Sequence, residues 1–306
     1  MNTLVLKLVL TPALIGMASL AGRRWGPAVS GWLIGLPFTS GPILFFLALN
    51  RGTGFAAAAA AGTLTGTLSQ VAFCLSYAWV ATWRHSWPVA LALALLAFGA
   101  MTTALRFVAL GGYRASTGRP PDAATTLLLL AVVMAALAVG LRVMPGTTPL
   151  PRGAGGPEKT LPTGADREVR LLPGVGGAGV KSVPPRWDLP ARMVLATVFV
   201  LALTASAPAL GAQLTGLLAP FPLYASILTV FAHQQQGPVA AAGVLRGLLL
   251  GLFSFAGFCV VLAILLAPAG IATAFGAAIA LALGIQGGSL RGLRRGERSQ
   301  ERELRR

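Results

Sequence analysis

The sequence predicts an all-α polytopic membrane protein, with about nine transmembrane helices in two inverted repeats and a discontinuous helix in each. Three observations predict it. Hydrophobic residues make up 55% of the 306 and charged residues only 10%, and the apolar ones gather in runs of about twenty, the length a helix needs to cross a bilayer. No short alternating segments of the transmembrane-barrel kind occur. One apolar run, Gly31-Trp32-Leu33-Ile34-Gly35-Leu36-Pro37-Phe38-Thr39-Ser40-Gly41-Pro42, is punctured by three glycines and two prolines. A second, Gly216-Leu217-Leu218-Ala219-Pro220-Phe221-Pro222-Leu223-Tyr224-Ala225-Ser226, is broken at the same place 185 positions later.

One ungapped shift pairs Gly26 with Gly211, Gly31 with Gly216, Pro37 with Pro222, Gly52 with Gly237 and Gly62 with Gly247. It also pairs Gly66 with Gly251, Ser69 with Ser254, Phe73 with Phe258 and Cys74 with Cys259. Matches among Ala and Leu come cheaply in a membrane protein, whereas Gly, Pro, Ser and Cys agreeing in one register do not. The first repeat is read as residues 1–144, with about five spans, and the second as residues 189–290, with about four.

In chain order, a first helix covers about residues 3–20 and ends at Arg23 and Arg24; Lys7 interrupts its apolar stretch, which favours a retained helix over a cleaved signal. The first broken span follows at about 27–49, and Asn50-Arg51-Gly52 turns the chain into a helix of about 54–80. There Gly62 and Gly66 form a small-xxx-small pair, the device that lets membrane helices approach closely, so this helix is expected to be buried. Trp79, Trp83 and Trp87 with Arg84 and His85 have the composition of an interfacial anchor. Spans of about 88–109 and 123–143 complete the first repeat.

Residues 145–188 carry recurrent Pro and Gly, charges of both signs and no long apolar run, the composition of a flexible linker. The Gly-rich run from Gly174 to Gly179 lacks the preceding strand and following Lys-Ser/Thr of a phosphate loop. Spans of about 191–209, 212–232 (broken), 238–267 and 270–289 form the second repeat. Residues 291–306 are a basic tail suited to a surface helix on acidic headgroups.

The net charge of +16 lies in loops, linker and tail rather than on a folded soluble face, so it reads as membrane orientation and not as a nucleic-acid footprint. That places the chain in the plasma (inner) membrane with linker and C-terminus cytoplasmic and the N-terminus outside. Five spans separate the starts of the two units. Because five is odd, the copies are inverted.

The eight acidic residues, Asp122, Glu158, Asp166, Glu168, Asp188, Glu297, Glu301 and Glu303, all avoid the span centres. No carboxylate relay, metal centre or enzymatic acid–base pair is expected, and no cofactor. The two cysteines, Cys74 and Cys259, read as small apolar residues.

A helix broken inside a bilayer leaves backbone N–H and C=O groups that only protein or a watery cavity can satisfy. Each restart also aims a positive dipole end at that cavity, which suits an anionic or zwitterionic molecule. The candidate substrate-binding residues are therefore Pro37, Thr39, Ser40, Gly41, Pro222, Tyr224 and Ser226. Candidate gating or charge residues are Lys7 and Arg192, which occupy equivalent positions, the deep cation Arg246, and His233 at the head of a polar loop with Gln234, Gln235 and Gln236. Ser69, Gln70 and Ser254 are read as glue between helices.

The function expected is an integral membrane secondary transporter, a permease or exporter for a small organic solute, whose partners are the lipid bilayer and that solute; a homo-oligomer is compatible. The alternative is a non-transporting membrane scaffold that recruits a partner or acidic lipid through the basic linker and tail. In layout the chain resembles the broad set of inverted-repeat secondary transporters, some built on five-helix units, and departs from them in lacking a tenth helix. The resemblance transfers no residue-level motif.

Overall fold

The computed structural model describes residues 37–84, 86–112, 121–145 and 188–304, with the isolated positions Val9, Pro12, Ala13 and Gly16. The first predicted helix, the opening half of the first broken span, Lys7, His85 and the linker interior lie outside the described residues. So do the side chains of Arg192 and of the tail.

Among the described residues the fold is all-helical: α1 (Ser40–Arg51), α2 (Thr53–Arg84), α3 (Trp87–Gly112), α4 (Ala123–Val143), α5 (Asp188–Leu218), α6 (Leu223–Gln236) and α7 (Pro238–Leu304). Five stretches are long and apolar enough to cross a membrane: Thr53–Trp83, Trp87–Phe107, Ala123–Val143, Met193–Leu218 and Pro238–Gly288. The last, at 51 residues, would extend about 76 Å if straight, far beyond a hydrocarbon core of about 30 Å.

It does not run straight. Gly270, at φ 80°, reverses the chain, so Ser254 Oγ donates to Ala282 O at 2.8 Å across 28 residues. Gly211, at φ 76°, does the same within α5 and brings the rings of Phe199 and Phe221 to 5.7 Å.

Two further reversals flank α1 and α6. Gly52 (φ 90°) joins α1 to α2 and Gly237 (φ 85°) joins α6 to α7, a backbone region that favours glycine because it lacks a Cβ. Ser40 and Gln70 line one cavity although a continuous helix would hold them about 45 Å apart. α1 is thus antiparallel to α2. Arg51 closes α1 with its guanidinium 5.5 Å from the Phe55 ring centroid, a cation where the helix dipole favours one.

The stretch 212–236 runs the other way. Gly62 of α2 lies against Gln213 and Gly216, Gly66 lies against Leu217 and Pro220, and Tyr77 reaches His233. Rising positions on one strand of helix meet rising positions on the other, so this stretch is parallel to α2.

Burial separates the centre from the rim. In α2 and in the Pro238–Gly288 stretch, 72% of the most apolar window is buried, against 22% in α3 and in α4. The outer helices turn Leu96, Phe107 and Leu128 outward, as a lipid-facing surface requires. Hydroxyls pin the outer layer to the centre: Thr102 Oγ1 of α3 donates to Ser69 Oγ at 2.9 Å, and Ser254 makes the corresponding tie within α7. Cys74 and Cys259 are both buried and free.

Helix lengths exceed the expectation from apolarity alone. α2 continues to Arg84, α6 to Gln236 and α7 to Leu304, because a helix keeps its hydrogen-bond ladder after the apolar stretch ends and polar side chains meet water or headgroups.

Candidate functional site

Two non-helical segments lie against one cavity. The first precedes α1, where Pro37, Phe38 and Thr39 lead into Ser40, and Pro42 sits in the first turn without disrupting a ladder bond. The second is Ala219-Pro220-Phe221-Pro222, between the end of α5 and the start of α6. Ser40 ties them together: its hydroxyl, buried, donates to Ala219 O at 2.9 Å.

Between them lies a cavity of about 40 Å³ lined by Pro37, Thr39 and Ser40 from one break and by Pro220, Phe221, Pro222, Tyr224 and Ala225 from the other. Gln70 of α2 and Leu252 and Phe255 of α7 close it. A water needs about 10–15 Å³ of such space, so the cavity holds a few waters and no organic molecule.

The first turns of α1 and α6 bond to the backbone only in part among the described residues. Gly41 N–H bonds Pro37 O at 2.8 Å and Ile43 N–H bonds Thr39 O at 3.3 Å, while Pro42 has no N–H. In α6, Leu223 N–H turns back to Phe221 O and Ser226 N–H to Pro222 O, each at 2.8 Å. Among the described residues the peptide N–H of Ala225 has no backbone acceptor, while the carbonyl four residues before Ser40 lies outside them. Ser40 and Ala225 both line the cavity, and they stand 185 positions apart.

The expected site residues divide accordingly. Pro37, Thr39, Ser40, Pro222 and Tyr224 come together at the cavity. Gly41 instead faces Phe258 of α7 and borders a wholly apolar groove with Phe45, Phe275 and Ile279. Ser226 returns its hydroxyl to Pro222 O at 2.6 Å and does not line the cavity.

Gln70, read from sequence as glue, lines the cavity, whereas its neighbour Ser69 is glue, bonded to α3. Polarity in a span says that a group must be satisfied; only the packing says by what. Arg246 is exposed on α7, where its long stem can carry the charge to a polar boundary. His233 differs most from expectation. It is a buried residue inside α6, 6% exposed, with Nδ1 3.1 Å from the Tyr77 hydroxyl, and only Gln234, Gln235 and Gln236 beyond it are exposed.

Ser40→Ala should leave Ala219 O without this donor and lower stability by about 1–2 kcal/mol. Thermal unfolding in detergent reads the loss.

These features define a class, a protein all-helical among its described residues, with apolar helices of membrane-spanning length and a small cavity lined by both polar and apolar side chains. Compared with protein-family models, with curated proteins and with solved structures, the chain matches none.

Proposed function

We propose that the protein is a secondary transporter for a small anionic or zwitterionic organic solute, bound where the two broken helices meet. The observation that carries this reading is one cavity lined both by the segment ahead of α1 and by the segment ahead of α6, with the Gln70 amide beside them. Helix N-termini favour negative charge through their free donors and dipole. Paired helix breaks at the interface of two repeats are the recurrent solute site of transporters.

Inverted repeats underlie the reading. α1 and α6 occupy matching places in the two copies, yet α1 is antiparallel to α2 and α6 parallel to it; this opposition supports two units threaded in opposite senses through the membrane. Counting the reversals at Gly52, Gly211, Gly237 and Gly270, and the first helix expected from sequence, supports about nine crossings. In this reading the linker and C-terminus are cytoplasmic and the N-terminus is outside, in the plasma (inner) membrane. The small cavity is then the occluded state, and solute entry requires one unit to rock against the other.

Uptake of radiolabelled monocarboxylates, dicarboxylates and amino acids into proteoliposomes tests the proposal. At least one class should enter saturably, and Ala225→Trp, which fills the cavity, should abolish entry while the protein still elutes as a single species. If no carboxylate-bearing compound enters faster than into empty vesicles, the reading is rejected.

A further inference from the structure

We infer that His233 is the residue that takes up and releases a proton in each cycle, making the proton the coupling ion; the inference rests on the transporter reading above. The described membrane-crossing stretches contain no Asp or Glu, so the usual carboxylate carriers are missing from them. A buried histidine is the remaining side chain whose ordinary titration, near about pH 6.5, falls in the working range.

Its position connects water to the cavity. On one side, Gln234, Gln235 and Gln236 are exposed at the end of α6. On the other, Ala225 at the cavity lies two i,i+4 steps back along the same face of α6, about 12 Å away.

Thr229 occupies the step between, and it is anomalous. The buried or half-buried Thr63, Thr67, Thr197, Thr204 and Thr215 each donate to the carbonyl four residues back. Thr229 is fully buried, and its hydroxyl has no partner among the described residues. A buried hydroxyl left unpaired is costly and calls for a transient partner such as water. Ala225, Thr229 and His233 thus form a file from the cavity to the polar end of α6.

Tyr77 suits a group that changes charge. A phenol can donate to a neutral imidazole nitrogen or accept from a protonated one, so the 3.1 Å contact survives in either state. The elements packed against α6 are α7, α3, α5 and, through Tyr77, α2. Their described titratable or charged side chains are Cys74 and Tyr77 of α2, Arg106 of α3, and Arg246 and Cys259 of α7, with none from α5. Both arginines are exposed and both cysteines buried. No carboxylate is among these described side chains. In general, burial favours a neutral imidazole and hydration a charged one. That difference in proton affinity between conformations is what lets a proton drive the change. The proton comes from water on one side, adds to an imidazole nitrogen, and leaves to water on the other.

The chain has two histidines, His85 and His233, so ring-¹⁵N-labelled protein in phosphatidylethanolamine–phosphatidylglycerol vesicles gives two assignable titrations. Electrometry of the same vesicles during pH jumps, with no solute present, reads proton binding as displaced charge. His233→Gln should remove one titration and the displaced charge, His85→Gln should remove neither the His233 titration nor the charge, and Tyr77→Phe should shift the midpoint without loss. Displaced charge in His233→Gln equal to that of the parent, or no displaced charge in the parent, would overturn the inference. Carboxylate uptake that persists without proton-driven charge leaves the transporter reading standing and overturns this one; charge movement without uptake of any solute overturns both, because no transport cycle then remains for the proton to drive.

Discussion

Gly216→Ala should destabilise the protein by about 3 kcal/mol, the upper part of the range for overpacking. A Cβ at Gly216 would stand 2.1 Å from Ala59 O, 2.9 Å from Gly62 Cα and 2.9 Å from Thr63 N, all of them backbone atoms that cannot swing aside. The facing Gly62 is equally confined, with Gln213 O at 2.7 Å from its would-be Cβ. Lipid offers no hydrophobic push between helices, so this backbone-to-backbone approach is where packing energy is gained. It also sets the height of the second break against α2, three residues before Ala219. Thermal unfolding in detergent measures the loss. Gly243→Ala, an exposed α7 position with open space around it, should be neutral or stabilising by about 0.5–1 kcal/mol.

Replacing Pro37 and Pro222 together by alanine should weaken solute binding by about a hundredfold. A proline disfavours helical geometry in the residue before it, so Pro222→Ala frees Phe221 to become helical and its carbonyl to accept the Ala225 N–H. Pro37→Ala lifts the same restriction ahead of α1. In the proposed site each helix start then consumes the donor that it offers to the solute. Two hydrogen bonds to an anion, at about 1.5 kcal/mol each, amount to about a hundredfold in affinity, and each single replacement to about tenfold. The readout is the half-saturating concentration for the carboxylate that the uptake panel identifies. An unchanged value in the double variant would separate the prolines from binding.

The helical class and the long apolar stretches were legible in the residues. The common register of Gly, Pro, Ser and Cys is the ground for the proposed repeats, and Gly62 with Gly66 marked α2 as a helix buried against a partner. What the sequence could not supply was the identity of that partner, since glycine records close approach and not what approaches. The partner is the helical end of α5 around Gly216. Gln70 and His233 were misplaced for a related reason. An amide in a span reads the same whether it bonds a helix or lines a cavity, and a histidine followed by three glutamines reads as loop until Tyr77, 156 residues away, buries it. The tail was read as suited to a surface helix, and α7 runs on to Leu304 without a break between the apolar stretch and that tail.

Opposite threading of the two units is tested most directly at Asn50 and Gln236. Both are exposed, each beside one of the two equivalent reversals at Gly52 and Gly237. The native Cys74 and Cys259 are buried and give little background to a membrane-impermeant maleimide. In intact cells Asn50→Cys should react from outside, and Gln236→Cys should react only after the membrane is opened. Reaction of both from the same side would contradict inverted repeats, and with them a solute site shared by two converging breaks.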